Sequence, residues 1–149
     1  MRNAVILLFC VGLISACSGP MGPIAGGQLE GTPAPWPDDW SFTDNIENIL
    51  LETNSADPYS VTIWIVTTHD GAFIAASDRD AQWVKNIQTD ANVIISVNGQ
   101  IINATATTTT STEELTVIAK AYQSKYDMDQ EDFENFAESN GIVFRLSKP

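Results

Sequence analysis

Few side chains in this sequence have the types and spacings that do chemistry on their own. His69 is the only histidine. It stands in a His-Asp-Gly turn signal with no cysteine, second histidine or HExxH pattern beside it, so metal ligation and general-base catalysis both lack partners. Ser77 and Ser96 have no Gly-x-Ser-x-Gly elbow and no histidine at a plausible position, which sets nucleophilic hydrolysis aside. The acidic stretch with Asp127, Asp129, Glu131 and Asp132 lacks the bend glycine and spaced closing glutamate of a calcium loop, and helix capping with a solvated face accounts for it. The polar corner Ser77-Asp78-Arg79-Asp80 is different. A hydroxyl, a forked guanidinium and the N–H groups of a following helix together suit an anion. Asp78 and Asp80 compete for those donors, and a capped helix with a local ion pair is the plain structural alternative.

That corner is positioned by the run from Tyr59 to Thr107. Val61, Ile63 and Ile65 alternate with Thr62, Trp64 and Val66, a strand apolar on both sides, as in a barrel wall against a partner or ligand. His69-Asp70-Gly71 turns it, and Ala72 to Ala76 returns. Asp78 or Asp80 is expected to cap a helix running to about Gln88, with Trp83, Val84 and Ile87 inward. Val93, Ile95 and Val97 face the core on the next strand, Asn98-Gly99 makes a tight hairpin, and Ile101 to Thr110 comes back.

Upstream, Asn45 to Thr53 reads as a first strand, with helix as the alternative. Downstream, Ser111-Thr112-Glu113-Glu114 is a capping box that opens a helix carrying Leu115, Ile118, Ala119 and Tyr122. A short helix is expected near Asp129 with Phe133, Phe136 and Ala137 on one face, stopped by Asn140-Gly141, and Ile142 to Leu146 closes the chain. The fold class is therefore α+β: a small, six-stranded, mainly antiparallel closed or partly closed barrel with about three helices packed outside.

Length and charge narrow the reading. The 149 residues, 44% hydrophobic, suffice for one core. Residues 1–16 have the basic start and short apolar run, Ala4 to Ile14, of an export signal, and the run is well below the roughly 20 residues needed to span a bilayer. Ile14-Ser15-Ala16-Cys17 resembles a bacterial lipobox. The resemblance implies cleavage before Cys17, a lipid on that cysteine, and a membrane anchor on the exported side of the bacterial cell envelope. Ser18 lacks acidic character, which favours the outer membrane in a double-membraned cell. Residues 17–39, rich in Gly and Pro, read as a tether, and residues 40–149 as the domain, with Trp36 and Trp40 expected to pack on its core.

With Cys10 in the discarded segment and Cys17 lipidated, no thiol remains for a disulfide or a metal site, and no metal is expected. Loss of Arg2 leaves six basic side chains against nineteen acidic ones, so the mature charge is 6 − 19 = −13. Such a surface repels nucleic acid, which is excluded as a partner.

The segment WVKNIQTDANVIISVNG, with Trp83, Asn86, Ile87, Ala91, Asn92, Val93, Ile95, Val97 and Gly99 in place, follows the hairpin VTIWIVTTHDGAFIAAS. Together they resemble the split β-barrel family related to pyridoxamine 5'-phosphate oxidase, in particular its flavin- and deazaflavin-dependent nitroreductase-like branch. The resemblance extends from Tyr59 to Leu146 in strand order. It implies a homodimer with FMN or a deazaflavin at the subunit interface and a phosphate at the corner after the second hairpin strand. By position Ser77 and Arg79 would hold that phosphate, while Trp83 and Asn86 would shape the site. No catalytic residue comes with the resemblance. The implied activity is an oxidoreductase acting on a small organic or quinone-like acceptor, with the chemistry belonging to the cofactor. The branch's basic segment before the hairpin is missing, since Asn54 to Ser60 has no Lys or Arg. That departure supports the alternative of a non-enzymatic envelope lipoprotein whose cofactor-free barrel is a binding or interaction module.

The anchor makes a direct prediction. Cys17→Ser should move the protein from the membrane to the soluble envelope fraction on cell fractionation, and unchanged membrane association would remove the lipid assignment.

Overall fold

The computed structural model describes residues 19–129, 131 and 140–149. Among these are eight strands: β1 Thr32–Pro33, β2 Asn48–Thr53, β3 Tyr59–Trp64, β4 Val66–Thr68, β5 Gly71–Ala76, β6 Asn92–Val97, β7 Gln100–Thr108 and β8 Ile142–Ser147. Two α-helices accompany them, α1 Gln82–Thr89 and α2 Thr112–Tyr126, with a 3-10 turn at Ser41–Thr43. The sheet runs β3-β2-β6-β7-β8-β5-β4 with antiparallel neighbours, and β1 adds a short parallel pair to β7. Its two end strands, β3 and β4, are separated in the chain only by Ile65. The sheet therefore curls until its two ends are successive halves of one bent strand.

The expected six strands become eight because the apolar run Val61 to Thr67 breaks at Ile65 and because Thr32–Pro33 joins the sheet. The expected helix near Asp129, with Phe133, Phe136 and Ala137, falls on residues outside the described ones, among which there are two α-helices. Within Asn45 to Thr53, the part from Asn48 resolves as strand and pairs with β3 and β6 on either side.

Alternation decides which side chains go inside. Ile49, Leu51, Ile63, Ile74, Ile95 and Ile102 are almost wholly buried, and Trp83, Val84 and Ile87 of α1 join the same cluster with Phe144. A second cluster lies beneath α2, where Ile118 and Tyr122 meet Val66, Phe73 and Val143. Asn98 (φ 51°) and Gly99 (φ 75°) form the two-residue left-handed turn between β6 and β7 that the Asn-Gly pair suggests. At the start of α2, the Ser111 hydroxyl accepts the Glu114 N–H at 3.4 Å, while the Glu114 carboxylate pairs with Arg145 on β8. The capping residue thus fixes the helix end, and its box partner ties the helix to the sheet.

The break at Ile65 is held by the last turn of α2. The Ile65 N–H donates to the Tyr126 hydroxyl at 3.0 Å, and that hydroxyl lies 2.9 Å from the carbonyl oxygens of Ile65 and Glu47. Lys125 Nζ donates to the carbonyls of Ile65 (2.7 Å) and Thr43 (2.8 Å). Burial holds the Lys125 pKa below its ordinary value, partly offset by Asp44, and burial raises that of Tyr126.

The stretch expected to be a tether reaches the barrel from Gly26 onward. Gly26 exchanges two backbone hydrogen bonds with Ser60 on β3, both 2.9 Å. Leu29 is buried and donates its N–H to the buried Glu52 carboxylate. Trp40 packs into the main core with Trp36 against it, rings 5.1 Å apart.

Burial raises the pKa of Tyr122 well above the ordinary 10.0, with Tyr126 adding to the rise. A phenol whose pKa is raised on folding stabilises the native state fully below the unfolded value, and that stability is lost as pH climbs past it. Unfolding free energy from urea titrations should therefore fall above about pH 10. Tyr122→Phe should flatten that fall, and an unchanged slope would refute the assignment.

Candidate groove beneath helix α2

A groove of about 820 Å³ opens between α2 and the sheet. Its apolar surface comes from Ile63 and Trp64 of β3, Leu115, Ile118, Ala119 and Tyr122 of α2, and the start of β8. Six threonines border it: Thr62, Thr108, Thr109, Thr110, Thr112 and Thr116. Arg79 is the only charged residue among the described residues that line it, and Ser77 lies beside it.

The corner that carries Arg79 is fixed by its backbone. β5 ends at Ala76, the Asp80 N–H donates to Asp78 Oδ1 at 2.8 Å, and the Arg79 N–H donates to the Asn140 carbonyl at 2.9 Å. This turn postpones the helix. α1 begins at Gln82 with Ala81 as its N-cap residue, and no side chain caps it. The expected cap by Asp78 or Asp80 is corrected accordingly, because Asp78 is folded onto the corner's own N–H.

The expected ion pair of Arg79 with its flanking aspartates is also replaced. Asp80 pairs with Lys85 at 3.3 Å, and the ion pairs among the described residues are this one, Arg145 with Glu114, and His69 with Asp70. Arg79, exposed, belongs to none of them.

The structure brings Ser77 and Arg79 to one groove and places Trp83 and Asn86 elsewhere. Trp83 is buried in the barrel core, its ring 5.8 Å from that of Phe144. Asn86 is buried too, donating to Thr53 Oγ1 at 2.9 Å and accepting from Gln82 Nε2 at 2.8 Å. His69 is exposed in the β4–β5 turn. Cys17 lies outside the described residues.

Trp64, 42% exposed, stacks one ring face on Tyr126 at 4.3 Å and 11°. Tyr126 stacks in turn on Tyr122 at 5.8 Å. The threonine rim has a visible signal in the sequence, the run Thr107 to Thr110, a composition that suits β structure whether or not it borders a site. Among the described residues no three His, Cys, Asp or Glu side chains gather as a metal site, and no helix is long and apolar enough to cross a membrane.

No family model matches the chain, and none of the curated proteins matches it by sequence. Solved structures do match. The Campylobacter jejuni protein ChuZ superposes with a TM-score of 0.60 at 13% identity over 72% of this chain and 50% of that one. The chain thus spans half of ChuZ. HutZ of Vibrio cholerae, described as a heme storage protein, gives 0.56 at 15% identity, covering 73% of this chain and 86% of its own. The F420-H2 dependent reductase FDR-A gives 0.53 at 15% identity, covering 68% and 95%. The fold is the split barrel. At these identities the likeness to such proteins is one of fold.

Within the split barrel, Asn86 is placed to join α1 to β2. Asn86→Ala should leave Thr53 and Gln82 without their partner and cost about 1–3 kcal/mol. A lower melting temperature with unaltered ligand binding in the groove is the expected pair of results, and weakened binding at unchanged stability would return Asn86 to the site.

Proposed function

We propose that this split-barrel protein binds a flavin-type cofactor, FMN or a deazaflavin, in the groove beneath α2. With it the protein would act as an oxidoreductase on a small organic or quinone-like acceptor. The observation that carries the reading is an apolar groove of about 820 Å³ whose described lining holds a single charge, Arg79. Sites for small ligands and cofactors span about 300–1,000 Å³, mostly apolar with a few convergent polar groups. A planar ring system with one anionic arm matches that distribution.

The residues fit such a group in named ways. Arg79 supplies a forked charge-assisted donor to a phosphate, Ser77 and the rim threonines supply hydroxyl donors, and Trp64 offers the ring face that Tyr126 does not cover. When bound, the cofactor supplies the electron and hydride chemistry. The chain's part is to bind, orient and exclude water, which Leu115, Ile118 and Ala119 do from α2. The described lining contains no histidine, the commonest axial ligand of heme, which favours a flavin-type ligand over the heme associated with HutZ. A homodimer and lipid anchoring through Cys17 on the exported side of the envelope complete the proposal.

The alternative, a cofactor-free binding module, draws support from the lone cation and from the absence of Lys or Arg in Asn54 to Ser60. Absorbance titration of the purified protein with FMN and with F420 separates the two. Saturable uptake is expected, and Arg79→Ala should weaken it about 10- to 100-fold, the equivalent of one charge-assisted hydrogen bond. Failure to take up either cofactor would leave the binding module.

A further inference from the structure

The segment between the export signal and the barrel carries a feature that a plain spacer does not need. Met21 and Ile24 exchange two backbone hydrogen bonds, each 3.0 Å, closing a tight hairpin over Gly22 and Pro23, with Gly22 at φ 57°. The two strands of the loop approach closely at its base, where a Cβ on Gly26 would fall 2.4 Å from the carbonyl carbon of Gly19. Gly26 is in turn bonded twice to Ser60 on β3. The loop is therefore fastened to the barrel.

Its side chains point the wrong way for a soluble loop. Met21 and Ile24 are 67% and 68% exposed, the two most exposed large hydrophobic side chains among the described residues. The charge pattern is equally distinctive. Ser18 to Leu29 has no charged residue, and Glu30 is the first acid in a chain with nineteen. An acidic protein is repelled by anionic headgroups over most of its surface. This stretch adds nothing to that repulsion.

We propose that the Met21–Ile24 hairpin is a membrane-seating loop, its two apolar side chains lodged at the headgroup and acyl boundary of a lipid bilayer. The inference rests on the reading of Cys17 as the lipid attachment point. Three residues lie between Cys17 and Met21, so four residue steps give a reach of at most about 14 Å at full extension. A lipid at Cys17 keeps the hairpin within contact range of the surface, where burial of Met and Ile adds to the anchor. The barrel then rides on the bilayer at the β3 side, in one orientation.

The lipid-modified full chain, reconstituted in phosphatidylcholine vesicles, provides the test. Both native cysteines are accounted for by cleavage and acylation, so Ile24→Cys creates a single thiol for an environment-sensitive fluorophore. His69→Cys, nine residues beyond Ser60 along the β3–β4 run, is the control. Mass spectrometry first establishes the acyl group on Cys17, and circular dichroism establishes folding. The expected result is blue-shifted emission and quenching by spin-labelled lipid at position 24, with water-like emission at position 69. An acylated protein with water-like emission at both positions would overturn the hairpin proposal and leave the anchor standing. Absence of an acyl group would overturn the anchor reading and this proposal with it. In the doubly substituted Met21→Asp, Ile24→Asp chain, labelled at Ala25→Cys, quenching should be lost while membrane fractionation persists; retained quenching would count against the loop.

Discussion

The structure depends on how the chain treats Ile65. A strand bent enough to serve both ends of one sheet loses its regular hydrogen bonds at the bend, and an unpaired buried N–H or carbonyl is costly. Tyr126 and Lys125 meet that need from outside the sheet, with a hydroxyl against the Ile65 N–H and an ammonium against its carbonyl. Because both come from the last turn of α2, the contact that holds the bend also fixes the helix. The groove between them follows as a geometric result.

The same economy shapes the groove's electrostatics. In a chain of formal charge −12, a guanidinium would ordinarily be matched by a neighbouring carboxylate. Here Asp78 is occupied by the Asp80 N–H and Asp80 by Lys85, so the two residues flanking Arg79 are both engaged elsewhere. The corner's backbone conformation thus decides what its charge can do. The tie from the Arg79 N–H to Asn140 holds that conformation against the start of β8.

Much of the fold was legible in the sequence, because alternation and turn chemistry are local. Val93, Ile95 and Val97 announced a core face, Asn98-Gly99 its turn, and Trp83, Val84 and Ile87 the buried side of α1. The break at Ile65 was hidden, since the run through it reads as one unbroken strand and its cause lies some sixty residues away in Tyr126. The Ser77–Arg79 corner was recognisable from residue type. Its partners in the groove were not, because α2 lines that space through tertiary placement that no spacing encodes. Asn86, which only the family resemblance assigned to the site, is bonded to Thr53 and Gln82, contacts that no spacing announced.

The Gly26–Ser60 pair has a consequence for solubility. β3 ends the sheet and offers an outward row of backbone groups that another extended chain could extend. Gly26 occupies that row at Ser60, and α2 occupies it at Ile65. Val61 to Trp64 lie between the two blocks. The polypeptide that approaches the barrel from its N-terminus therefore also covers part of the sheet's β3 edge.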